Sequence, residues 1–279
     1  MRGWLITGAS QGLGRAFAEV ALKHGDRVVL TSREPAALED LVELYPGRVL
    51  AITLDVTDRQ AVIDAVEFTV AQWGAIDVLV NNAGYGLVGA IEEVTEDQAR
   101  RQMEVNFFGA LWCTQAVLPA MRKQKSGHIF QISSVGGVTS QPNSGLYCAS
   151  KWALEGMSES LSMEVGPLGI NVTLVELGPF RTDWNGASLD RAAPNPAYDE
   201  ILAERRDVLS GAYARTQPGD PRRAAEALLQ ILDAEKPPLR LLLGKYAADR
   251  APSVTHTRLE EWATWDWLAR GADFDAEDD

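Results

Sequence analysis

Residues 145–156 read GLYCASKWALEG, so that a tyrosine and a lysine, Tyr147 and Lys151, stand four apart at what the pattern predicts to be the start of a helix. On a helix that spacing puts both side chains on one face, roughly 5–6 Å apart at their β-carbons. An ammonium near a phenol stabilises the phenolate and lowers a pKa that starts near ~10. A tyrosine tuned in this way passes a proton at neutral pH. Tyr-x-x-x-Lys also arises by chance, so its meaning depends on the elements that position it.

Those elements belong to a chain of 279 residues, 46% hydrophobic and 23% charged, a composition that suits a globular protein with a sizeable core. The formal net charge of −13 argues against nucleic acid and anionic membranes, which need clustered Lys and Arg. Cys113 and Cys148 fall in different predicted helices, which makes a disulfide framework a poor reading. His24, His128 and His256 lie far apart in the chain, and no metal site is expected. The start, MRGWLITGAS, leaves no room for a secretory leader, and no apolar run approaches the ~18 residues of a membrane span. The expectation is a cytoplasmic protein.

Short apolar, β-branched runs (GWLIT, RVVLTS, VLAITLDV, DVLVNN, HIFQISS, NVTLVEL and LRLLLG) alternate with segments of helical periodicity. That rhythm predicts an α/β fold, a Rossmann-type doubly wound, seven-stranded parallel sheet with helices on both faces. Two of the helical segments end at a glycine suited to capping. Residues 183–218 break the rhythm and read as a lid or surface loop. DPRRAAEALLQIL then opens a helix with an Asp-Pro start. The whole is expected to be one domain, 1–279, closed by a Trp-rich helix and acidic tail over 255–279. There Trp262, Trp265 and Trp267 are expected to pack on the body.

The first strand runs into TGASQGLGRAFAE, which places Gly8, Gly12 and Gly14 between a strand and a helix. Such glycines let the backbone approach a pyrophosphate, while the helix N-terminus offers unpaired N–H groups and a positive dipole end. At the end of the second strand stand Ser32 and Arg33, where an acid would accept bonds from an adenosine 2′-hydroxyl. An arginine pairs instead with a 2′-phosphate, which points to NADP(H). Asp55, then Asn81, Ala83 and Gly84, end the third and fourth strands, placed to flank an adenine and its ribose.

Together TGASQGLG, NNAG, Asn106 in EVNFFG, ISS at 132–134, YCASK at 147–151 and LGPFRT at 177–182 resemble the short-chain dehydrogenase/reductase family in its single-domain branch, near NADP-dependent hydroxysteroid and retinol dehydrogenases. The resemblance implies that Tyr147 is the general acid and base, that Lys151 binds the nicotinamide ribose and lowers the Tyr147 pKa, and that Ser134 polarises the carbonyl. It implies that Asn106 holds a proton-relay water through its backbone. It further assigns cofactor contacts to Ser10, Leu13, Val56 and Thr182, and to Gly178 and Pro179, which stand in the reverse of the family's usual Pro-Gly order.

Tyr85, Val135, Val138, Gln141 and Trp184, with Tyr198 and Tyr213 from the lid region, are candidates to line a substrate site, and their character suits a lipophilic ketone or secondary alcohol. No arginine cluster marks an anionic handle. The resemblance also implies a homodimer or homotetramer built on helices near 95–123 and 147–166. Two other readings stay open: a non-catalytic NADPH-binding regulator, and an epimerase or dehydratase of the extended branch, which would show another glycine spacing and a larger C-terminal domain.

Overall fold

Strands that are buried on both faces need helices on both sides, and the chain supplies them in alternation. In the computed structural model, which describes residues 1–182, 184, 186, 188–208 and 216–274, the strands are β1 (Gly3–Ile6), β2 (Arg27–Ser32), β3 (Val49–Thr53), β4 (Val78–Asn81), β5 (Gly86–Val88), β6 (Gly127–Ile132), β7 (Ile170–Leu177), β8 (Leu189–Arg191) and β9 (Arg240–Leu243). The helices are α1 (Gly12–His24), α2 (Glu39–Leu44), α3 (Arg59–Trp73), α4 (Glu96–Met103), α5 (Gly109–Gln124), α6 (Gly145–Val165), α7 (Asp199–Val208), α8 (Pro221–Leu232), α9 (Lys245–Thr264) and α10 (Asp266–Arg270).

Seven strands form one parallel sheet in the order β3-β2-β1-β4-β6-β7-β9, as the apolar runs predicted. Alternate residues of each strand feed opposite cores. Trp4, Ile6, Val28, Leu30, Val78 and Val80 pack under α1, α2 and α8, while Leu5, Val29 and Leu79 pack under α3, α5 and α6. α1 and α3 stop at Gly25 and Gly74, both in the left-handed conformation. α8 starts at Pro221, with the Asp220 carboxylate accepting from the Arg222 N–H. The chain leaves β1 toward β2 and β3, then returns to β4 on the other side of β1. The crevice outside the carboxyl ends of β1 and β4 is therefore the topological switch point, where such sheets take their ligands.

Three features depart from the sequence reading. β5 and β8 form a second, two-stranded parallel sheet, so the segment read as a lid carries a strand and also α7. Three residues per strand are too few for alternation to be legible. Between α4 and α5 the helix widens into a π turn, Glu104–Phe108, with Asn106 buried in it. Finally, α9 begins at Lys245 and runs through Pro252, and Trp262, Trp265 and Trp267 are exposed on its end and on α10 rather than packed on the body. Among the described residues no facing element lies within reach to bury them.

Candidate active site

The glycine turn is built by close approach. Gly8 holds φ +64°, and a Cβ on Gly14 would lie 2.5 Å from Asn82 Nδ2 and closer still to the Gly8 carbonyl oxygen. Asn82 explains the crowding: its amide donates to the Thr7 and Gly8 carbonyls at 2.9 Å each, stitching the end of β4 to the turn after β1. Thr7 Oγ1 accepts from the Asn82 and Ala83 N–H groups at 3.0 Å. α1 that follows has no side-chain cap and no acid in its first turn. Its N–H groups and positive dipole end therefore remain available to an anion. A bare backbone cradle of this kind fits the pyrophosphate of a dinucleotide.

The cradle opens into one cleft of about 1280 Å³. It is lined by Gly8, Ser10, Gly12, Leu13, Ser32, Arg33, Asp55, Val56, Ala83, Gly84, Tyr85, Ser134, Val135, Gln141, Tyr147, Lys151, Gly178, Pro179, Thr182 and Trp184. At one end of it Arg33 is exposed, and Ser32 Oγ accepts from the Glu34 N–H at 3.0 Å. Burial works to raise the Asp55 carboxyl, but bonds from the Thr57 N–H and hydroxyl, then the charges of Arg33 and Arg101, leave it below the ordinary carboxylate range.

At the other end Tyr147, half-buried, meets the Trp184 ring edge-on with centroids 5.6 Å apart. Burial pushes its phenol up to about 12 against the pull of a hydrogen bond with Ser134. The sequence predicted the opposite direction, from the lysine charge. The correction is physical: Lys151 Nζ stands 6.0 Å from the ring centroid and is spent on the Ile132 carbonyl at 2.8 Å. Its own pKa is lowered to about 8 by burial, with Glu155 pulling it back up.

Gly14, Asn81 and Asn106 stand outside the cleft lining and support it from behind, Gly14 through its close approach to Gly8 and Asn82. Asn81 is buried in the opposite face, its amide donating to the Ala110 carbonyl, Thr114 Oγ1 and Gln131 Oε1. The alternation of β4 carries the reason: Asn81 shares the face of Leu79, so its neighbour Asn82 reaches the cleft instead. Asn106 accepts from the Tyr85 N–H at 3.0 Å and donates to the Tyr85 carbonyl and to Ser150 Oγ, so its side chain fixes the Tyr85 backbone. A π turn also disturbs the regular helical ladder at this point.

Val138 does not line the cleft, and its carbonyl accepts from Arg258. Tyr198 turns away and donates to Glu92 at 2.6 Å. Tyr213 lies outside the described residues. Among the residues that sequence reasoning missed, Arg101 of α4 and Arg205 of α7 line the cleft. The helices carrying them approach from elsewhere in the chain, which is why the sequence around the active-site motifs gives no sign of them. Arg181, by contrast, donates to the Gln217 carbonyl. Among the described residues no group of His, Cys, Asp and Glu is arranged to hold a metal, and no helix is long and apolar enough to cross a membrane.

A glycine cradle, a Tyr–Lys helix face and a serine turn thus meet in one cleft. The sequence model of the short chain dehydrogenases matches residues 3–192. This chain belongs to the short-chain dehydrogenase family. As an oxidoreductase of that family it is 40% identical over 263 residues to oxidoreductase BOA17 of Botryotinia fuckeliana, covering 93% of this chain and 96% of that one. It is 37% identical over 251 residues to retinol dehydrogenase 8 of Homo sapiens, covering 85% and 79% respectively. The crystal structure of a short-chain dehydrogenase from Streptomyces avermitilis superposes with a TM-score of 0.93 at 44% identity, covering 98% of this dehydrogenase and 99% of the other.

Proposed function

We propose that this dehydrogenase is an NADPH-dependent reductase of lipophilic ketones that also runs in reverse on secondary alcohols. The observation that carries the reading is the convergence of Ser134, Tyr147 and Lys151 on the cleft that also holds the glycine cradle and Arg33. The bound nicotinamide supplies the hydride, and the protein supplies position, a proton and a polarising donor. The Gly8–Gly14 turn and the start of α1 hold the pyrophosphate, Arg33 pairs with the 2′-phosphate, and Asp55, Val56, Ala83 and Gly84 flank the adenosine. Lys151 holds the ribose, and Thr182 the carboxamide.

Ser134 donates to the substrate oxygen where negative charge develops. Tyr147 gives that oxygen its proton. A phenol near 12 is fully protonated at neutral pH, as a donor must be. Val135, Tyr85, Gln141 and Trp184 form a wall suited to an apolar substrate. Relatedness to a protein named a retinol dehydrogenase supports that choice. In the same reading the chain is one cytoplasmic domain with 183–218 as its lid. Copies pair through α5 and α6, where Trp152 and Met163 are exposed.

The test is NADPH consumption by the purified protein against a panel of aliphatic, aryl and steroid-like ketones. Turnover of lipophilic carbonyls is expected; a strong preference for small anionic keto acids would overturn the substrate class. Arg33→Ala is expected to raise the NADPH KM ~10- to 100-fold, the worth of a charge-assisted phosphate contact of ~1.5–3 kcal/mol, while leaving the NADH value within ~2-fold. Equal effects on both cofactors would remove the 2′-phosphate from the role of Arg33.

A further inference from the structure

Directly behind the catalytic serine lies a buried charged cluster that the reaction as described does not use. Glu155 sits one turn after Lys151 on α6, 5% exposed, and Glu176 lies in β7, 2% exposed. Glu155 Oε1 accepts from Ser133 Oγ at 2.5 Å. Its other oxygen, Oε2, and Glu176 Oε1 are both buried and without a hydrogen-bond donor. Both look toward one guanidinium, with Arg240 Nε at 3.4 Å from the first and 3.5 Å from the second, while Arg240 Nη2 donates to Glu159 at 2.9 Å. The Arg240 guanidinium faces both buried carboxyls, and each carboxyl keeps an oxygen without a hydrogen-bond donor. A single proton held between them removes one negative charge and gives both oxygens a partner.

The turn that carries Ser134 rests on this cluster. Gly137 packs so closely that a Cβ there would lie 2.6 Å from Ser133 Oγ and 3.0 Å from Glu155 Cγ. On the other flank Lys151 Nζ holds the Ile132 carbonyl. The 132–137 segment is thus tied at Ile132 by the lysine and at Ser133 by Glu155, with Ser134 next to both anchors. We infer that Glu155 and Glu176 share one proton above Arg240, and that Glu155, held in this way, positions the turn from which Ser134 acts and to which Lys151 is bonded.

The groups facing the pair are Lys151 and Glu159 from α6, Arg240 from β9 and the Ser133 hydroxyl. α9, which packs near the turn, sends Arg258 to the Val138 carbonyl instead. Burial, then the Glu155 charge, pushes Glu176 up to about 7. An ordinary glutamate titrates near ~4.3. The folded protein therefore binds more protons than the unfolded chain between those values. The stability this contributes is present at low pH and is lost as pH rises through about 7.

Two sets of variants test the inference, the second resting on the carbonyl-reductase reading and the first not. Thermal unfolding from pH 5 to pH 8 compares wild type with Glu176→Gln, which is neutral throughout. The difference in Tm is expected to move by ~3 °C or more in favour of the variant across that range; a constant difference overturns the shared proton. Ser133→Ala combined with Glu176→Gln in a double-mutant cycle reads the link to the turn from stability alone. Coupling is expected, and additivity overturns it.

On a turned-over ketone, Glu155→Ala is expected to lower kcat ~100-fold with NADPH affinity within ~2-fold, as a small displacement of a positioned group does. Glu155→Gln can still accept from Ser133 and donate toward Glu176, and is expected to restore kcat to within ~3-fold of wild type. A folded alanine variant with wild-type kcat, or a glutamine variant as impaired as the alanine, overturns the positioning role. Absence of any turnover in wild type would instead count against the reductase reading, with the stability experiments still deciding the cluster.

Discussion

Tyr147→Phe is expected to cut kcat by ~10³-fold or more while NADPH affinity stays within ~2-fold, because general acid catalysis by a positioned side chain contributes ~10²–10⁴-fold. The substitution removes one oxygen and keeps the ring, whose contact with Trp184 and close approach to Gly136 remain. The wall of the cleft therefore stands, and Lys151, anchored on the Ile132 carbonyl, does not depend on the phenol for its place. What disappears is the hydroxyl proposed to give the proton, next to Ser134. Steady-state kinetics with the best ketone of the panel, beside a fluorescence titration with NADPH, separates the two quantities.

The same group sets a pH dependence. Reduction uses the protonated phenol, which dominates over the neutral range when burial holds the group near 12. Alcohol oxidation uses the phenolate, so its rate is expected to rise with pH through the neutral and alkaline range, and Tyr147→Phe to flatten that rise. An unchanged kcat in the variant would assign the proton to another donor.

Gly14→Ala is expected to weaken NADPH binding by ~100-fold or more and to lower Tm, since overpacking a rigid site costs ~1–3 kcal/mol before any lost hydrogen bond is counted. The added methyl would meet the Gly8 carbonyl, Asn82 Nδ2 at 2.5 Å and Ala9 Cα at 3.1 Å, and two of the three are backbone. Relief would push Asn82 off the Thr7 and Gly8 carbonyls and open the turn that holds the pyrophosphate. Gly156→Ala is the matched control. Gly156 is exposed within α6, and a Cβ there has no atom within 4 Å. Alanine at such a site is expected to stabilise by ~0.4–1 kcal/mol, leaving cofactor affinity unchanged. Calorimetric titration with NADPH and thermal unfolding of both variants would check the contrast; equal behaviour would mean that the turn yields more easily than its contacts imply.

Where sequence reasoning succeeded, the signal was local. The short apolar strand runs, the Asp220–Pro221 helix start, the glycines after β1 and the Tyr147–Lys151 spacing are each written within a few consecutive residues. Where it failed, the answer depended on partners distant in the chain. Asn81 and Asn82 look equivalent in NNAG, and only the face that β4 presents to α5 separates them. The Trp-rich segment holds side chains that favour burial, yet burial requires an opposing surface, and among the described residues the end of α9 and α10 have none.

The sequence by itself determined the alternation of strands and helices, the glycine turn, and the helix face shared by Tyr147 and Lys151, because backbone sterics and side-chain period act over neighbours. The tertiary structure alone decided the protonation of that face. Tyr147 is raised rather than lowered, Lys151 is drawn to Ile132, and Glu155, Glu176 and Arg240 meet from α6, β7 and β9. Desolvation and charge pairing depend on what surrounds a group in space, and the sheet brings together there residues that lie far apart in the chain, as Glu155 and Arg240 do.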